Sequence, residues 1–175
     1  MNREHIVREA VKVHVAIRLV SAFLLCCLFL PGEAVAKPPV AAMHPNQAYH
    51  VWFAPVDARF VRLEVSSSRG QACIDELEIF GRETGEENLA SAKHGALASA
   101  SSSLPGYEDR HAAAFLNDGR KSNVGSWIPA GSKAEWGQIA LPRVQSIDRV
   151  CFARDREGKY TDRLPSSFRV LVSLD

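Results

Sequence analysis

Between Leu116 and Trp127 the sequence LNDGRKSNVGSW sets Asn117, Asp118, Ser122, Asn123 and Ser126 among glycines, with an apolar residue at each end. Side chains of this kind bond to nearby backbone, and glycine accepts positive φ, so the segment can fold back on itself with several oxygens turned inward. Inward oxygens are what a hard cation such as calcium needs. A tight turn at Asn117-Asp118-Gly119 explains the same residues without an ion, and on side-chain chemistry alone both readings stand. Another acidic pair, Asp75-Glu76, follows the turn residues Ser66 to Gly70. It can aim a carboxylate at a bound ion, although two solvated edge charges that discourage strand pairing are the simpler reading.

Nucleophilic catalysis needs a Ser, Cys or Thr set against a positioned base, and the chain has no nucleophile-elbow pattern and no obvious histidine to pair. His94 and His111 stand alone in the sequence. Asp75, Glu76, Asp118 and Glu157 supply acids for a glycosidase pair, but a chain with 20 acidic residues offers such pairs by chance. The expectation is a chain that is not an enzyme. Aromatic and basic residues on polar loops point to binding instead: Tyr107, Arg110, His111, Arg154, Arg156, Tyr160 and Arg163 are the candidate contacts. Arginine would supply hydrogen bonds and tyrosine a stacking face, with solvated loop charge as the alternative for each. Trp127 and Trp136 flank or sit in strands and are expected in the core.

The chain has 175 residues, enough for one domain once a targeting segment is removed. With 21 basic against 20 acidic residues the net charge is +1, which gives no reason to expect a nucleic-acid partner. In residues 1–36, Arg3, Arg8, Lys12 and Arg18 precede an uncharged run from Leu19 to Leu30, then Pro31-Gly32 and Ala34-Val35-Ala36. This is the pattern of a secretory signal peptide cleaved after Ala36. The uncharged run is shorter than the roughly 20 residues of a spanning helix, so no membrane span is expected after cleavage and the mature chain is expected to be secreted or periplasmic. Cys26 and Cys27 leave with the signal, while Cys73 and Cys151 stay. Export allows those two to bridge, and two buried free thiols is the other outcome. Without a histidine cluster they are too few for zinc.

The elements that must position these residues are strands. Residues 37–48, with Pro38, Pro39 and Pro45, read as a flexible linker. Strand alternation starts at Tyr49 and resumes after Pro55, where Phe60, Arg62 and Glu64 alternate with Val61, Leu63 and Val65. A second strand is predicted over 72–81, with Asp75-Glu76 breaking its alternation. Small residues from Asn88 to Ser103 predict an irregular or edge-strand segment, and His111 to Leu116 a single helical turn. Three further strands are predicted at 134–141, 147–153 and 168–174, punctuated by Pro142 and Pro165, with the charged loop RDREGKYTDR at 154–163 between the last two. Many short strands and little helix indicate an all-β antiparallel sandwich or jelly roll.

Several segments together resemble the discoidin family, also called the coagulation factor V/VIII type C domain, among the galactose-binding-like jelly rolls. The similar residues are Asn88-Leu89-Ala90, Leu116-Asn117-Asp118-Gly119 followed by Trp127, the run Trp136 to Leu141, Ile147 to Val150, and Phe168 to Asp175. The closing half of such a domain looks like Ala58 to Val65 followed by Ile74 to Gly81. The resemblance covers about 50–175 and implies an eight-stranded jelly roll with a structural calcium at its loop end. It also implies a ligand site on variable loops for carbohydrate or a cell-surface polymer. Asp118 matches the family's calcium motif, Asn123 and Ser126 match its polar groups before the tryptophan, and Glu76 its late acidic ligand. The loop between Asp118 and Trp127 is slightly longer than the common form. The order also departs, since the closing half (49–82) precedes the opening half (88–175). Either the halves pair as one permuted domain, or the chain carries the tail of one domain and the head of the next. A secreted non-catalytic binding module is the expectation. The alternative is a structural or protein-interaction domain, perhaps a fragment of a larger multidomain exported enzyme, with that protein's other domains as partners.

Overall fold

A computed structural model describes residues 43–175, so the predicted signal peptide and most of the predicted linker lie outside the described residues. Among the described residues five antiparallel strands form the fold: β1 (Tyr49–Ser66), β2 (Leu77–Phe80), β3 (Leu97–Ala100), β4 (Glu135–Phe152) and β5 (Ser167–Ser173). Their order is β2-β4-β1-β5, with β3 on the other part of β4. Both halves of the sequence therefore pair with each other inside one chain: β1 bonds to β4 and β5, and β2 bonds to β4.

β1 and β4 are each longer than predicted. Each runs through a proline expected to divide two strands, and the ladder shows why. Pairing between them shifts register between Trp52 and Val56, and again between Ala58 and Phe60. Pro55 lies in the first break, and Pro142 faces the second from β4, where a missing N–H costs no ladder bond. Such breaks bend strands. A straight β1 would hold Tyr49 and Val65 roughly 50 Å apart, yet Phe168, the partner of Val65, has its ring 5.2 Å from that of Tyr49 and 5.1 Å from that of Phe152. The two long strands thus pass from one layer of the sandwich to the other. One layer holds β2 with residues 49–52 and 149–152; the other holds β3 and β5 with residues 60–66 and 135–140.

The core between the layers takes the apolar phase of each strand: Val61, Leu63 and Val65 of β1, Ile79 of β2, Ile139 and Val150 of β4, and Val170 and Val172 of β5. Trp127 is fully buried, as its sequence context predicts. Trp136 differs, being half-buried on the outer face with the Arg62 guanidinium 4.1 Å from its ring centroid. The strand predicted over 72–81 is cut to β2, with Ile74 making a lone bridge to Trp127. Asp75 and Glu76 cause the cut: they are fully buried, not solvated edge charges. The end of the linker is docked, with Met43 against the core and the Pro45 carbonyl accepting the Asp155 N–H at 3.2 Å.

After β2 the chain turns at Gly81, where an added Cβ would lie 2.3 Å from the Ser146 carbonyl oxygen. Backbone on both sides leaves no side chain to yield. Gly81→Ala is therefore expected to lower stability by about 1–3 kcal/mol in urea denaturation, whereas an unchanged midpoint would mean that this close approach is absent.

Candidate functional site at the loop end

One end of the sandwich is built from three irregular stretches, 67–76, 101–134 and 153–166, stitched by backbone bonds. Ile74 and Trp127 exchange N–H···O bonds of 2.9 and 2.8 Å, the Cys73 N–H donates to the Arg163 carbonyl at 2.9 Å, and the Leu104 N–H to that of Ile128 at 2.8 Å. The Trp127 indole N–H reaches the Ser102 carbonyl at 2.9 Å. Loops fixed this way can hold surface side chains in place without secondary structure.

Buried charge does the rest. Arg156 donates through Nη2 to Asp75 Oδ1 at 3.0 Å and through Nε to Asp75 Oδ2 at 3.1 Å, and also bonds Glu78 through Nη1. Lys121 Nζ lies 2.8 Å from the other Glu78 oxygen. Burial alone would push the Glu78 carboxyl up, but Arg156 and Lys121 outweigh it and hold the group below the usual carboxylate range. Arg154, 2 % exposed, donates to the Asp162 carbonyl at 2.7 Å, Asp162 Oδ1 at 2.6 Å, Asn123 Oδ1 at 2.6 Å and the Cys73 sulfur at 3.3 Å. Of the arginines expected to contact ligand, Arg154 and Arg156 spend their guanidiniums on tying loops together. Five fixed N–H donors make arginine suited to that role.

Of the four residues that resemblance assigns to calcium, the structure brings two together. Glu76, fully buried, accepts the Gly119 N–H through both oxygens at 3.1 and 3.2 Å, with Asp118 as a charged neighbour. Burial first, then the repulsion of Asp118 and Glu78, raises the Glu76 carboxyl to about 8. A desolvated carboxylate beside a second one is a fit for a hard cation, which would neutralise both. Asn123 and Ser126 do not join them. Asn123 Oδ1 serves Arg154, while Ser126 Oγ donates to the Asn123 carbonyl at 3.0 Å and accepts from Cys73 at 3.3 Å. Among the described residues no group of three or more His, Cys, Asp or Glu is gathered as a metal site. A calcium ion here would rest on Glu76 and Asp118 with neutral oxygens, and would supply rigidity to the loop.

The remaining candidates form the surface. Tyr107 is 51 % and Tyr160 38 % exposed. The Tyr107 ring centroid is 6.3 Å from that of His111, whose Nδ1 lies 3.0 Å from Ser126 Oγ. That spacing would suit a nucleophile and base, but Ser126 is shut from solvent and spends its proton on Asn123. Burial, followed by the charges of Arg163, Arg154 and Arg110, lowers the His111 pKa and so favours the neutral ring. Arg110 is exposed, and Arg163 donates to Gln71 Oε1 at 2.8 Å.

No family model matches this chain, and no curated protein matches its sequence.

Two features of this end escaped sequence reasoning. Asp155, fully buried, accepts the N–H groups of Glu157 and Tyr160 at 3.2 and 2.8 Å and so shapes the loop that carries Tyr160. An Asp three residues before Gly158 was the available signal for such a turn. Glu78 is the other: it is buried and shares the Arg156 network with Asp75. Cys73 and Cys151 are both free and buried, and burial raises their thiols to about 11 and about 12, which leaves them unreactive at neutral pH.

Proposed function

We propose that this chain is a secreted, non-catalytic binding module of the discoidin type, recognising carbohydrate or a cell-surface polymer through its loop end, with a calcium ion stiffening the loop at Glu76 and Asp118. The observation that carries this reading is the pairing of two exposed tyrosines, Tyr107 and Tyr160, with loops whose backbones are pinned by buried arginines and carboxylates. Rigid aromatic faces bind sugar rings at low entropic cost, because little is left to immobilise on contact. Tyr107, Arg110, His111, Tyr160 and Arg163 are the contacts; Arg154 and Arg156 act behind them.

A glycan array probed with and without calcium tests the function. Sugar-specific binding that weakens at least about tenfold in Tyr107→Ala is expected from the loss of a stacking face. An array without signal in either condition would move the weight to a protein-interaction role. That second reading has one observation of its own: among the described residues β5 pairs only with β1, which leaves its other edge for an added strand.

A further inference from the structure

Resting on that binding role, we infer that the group recognised is anionic: a saccharide bearing a carboxylate or sulfate, its oxygens held by Arg163 and Arg110 and its ring laid against Tyr107.

Arg163 is the first reason. Its φ of 57° lies in the left-handed region, which a long L side chain adopts only when its surroundings impose it. Here they do so from both sides: the Arg163 carbonyl accepts the Cys73 N–H at 2.9 Å, and Nη1 donates to Gln71 at 2.8 Å. The side chain stays 32 % exposed, and Asp162 Oδ2 is 3.8 Å from its Nε, beyond hydrogen-bond length. A guanidinium aimed by strained backbone, with donors to spare, is a ready partner for a planar anion.

The second reason is the set of charges around His111. Its Nδ1 faces Ser126, so Nε2 is the nitrogen turned the other way. Three guanidiniums act on this imidazole, those of Arg163, Arg154 and Arg110. The nearby acids are engaged, Asp162 by Arg154 at 2.6 Å, Asp109 by Arg110 at 3.5 Å and Glu108 by the Gly106 N–H at 3.1 Å. An anion entering beside Tyr107 can take the guanidinium donors of Arg163 and Arg110 that these acids leave open, which a neutral sugar would use less well. Nucleic acid is the poorer fit, because the chain has a net charge of only +1 and no basic stripe to follow a phosphate backbone.

Affinity electrophoresis of the full chain in gels containing polygalacturonate, chondroitin sulfate, neutral galactan or single-stranded DNA tests this. Retardation by polygalacturonate or chondroitin sulfate and not by galactan is expected, and which of the two acts tells carboxylate from sulfate. Arg163→Gln and Arg110→Gln, the latter at an exposed position, should each weaken it about tenfold. Equal retardation by galactan, or wild-type behaviour of both variants, would overturn the anionic group while leaving sugar binding intact. Equal retardation by DNA would reduce it to general polyanion adhesion and overturn it too. Retardation by none of the four would remove the binding role with it.

Discussion

Replacing Arg156 by alanine is expected to lower the unfolding free energy by roughly 3–5 kcal/mol, the cost of stranding buried charge. Asp75 is fully buried and Glu78 nearly so, and Arg156 bonds both. Removing it leaves Asp75 without an ion pair, and Glu78 with only Lys121, among the described residues. A solvated loop arginine, by contrast, would change stability by less than about 0.5 kcal/mol. Urea denaturation of Arg156→Ala and Arg156→Lys separates the two cases, since lysine keeps the charge but cannot span both carboxylates as a fork. The loss should also depend on pH. Glu78 is held below the usual carboxylate range, so its contribution is present above that range and fades as pH falls through the lowered pKa. Acid should therefore narrow the gap between wild type and Arg156→Ala.

Glu76 reverses that dependence. Its folded-state pKa of about 8 stands above the ordinary 4.5, so the native state binds the proton more tightly than the unfolded chain. Without calcium, stability from this group is complete below the unfolded pKa and is lost as pH rises towards 8. Glu76→Gln, which stays neutral, should flatten the slope and be the more stable protein at pH 8 in chelator. Calcium held by Glu76 and Asp118 would restore the wild type by roughly 2.7 kcal/mol at one hundred times its dissociation constant. Thermal melts at pH 8 check both statements. A chelator that leaves the wild-type melting temperature unchanged, together with a silent Asp118→Ala, would remove the ion.

The longer strands were legible because each buries one face over part of its length, and period-two alternation survives in Val61, Leu63 and Val65 whatever the neighbours are. What alternation hides is which breaks end a strand. Pro55 and Pro142 look like stops, yet each sits where two long strands bend together and the ladder is already open. The acidic loop was legible only in part. Glu76 bonds the Gly119 N–H beside Asp118, but Asn123 goes to Arg154, a pairing across the fold that spacing cannot reveal. The same holds for Arg154 and Arg156, whose positions in a charged loop gave no sign that they point inward. Burial of an arginine depends on a carboxylate brought from elsewhere, here Asp75, and that is a tertiary fact.

The most direct test of the account is an amide chemical-shift map of the protein titrated with the strongest ligand from the glycan array. Shifts concentrated at Tyr107–His111 and Lys159–Arg163 are predicted, with the Asp75, Arg154 and Arg156 amides nearly still because the network beneath is already formed. Shifts gathered instead on the outer sheet face at Arg62, Trp136 and Gln138, with the loop end unmoved, would contradict it.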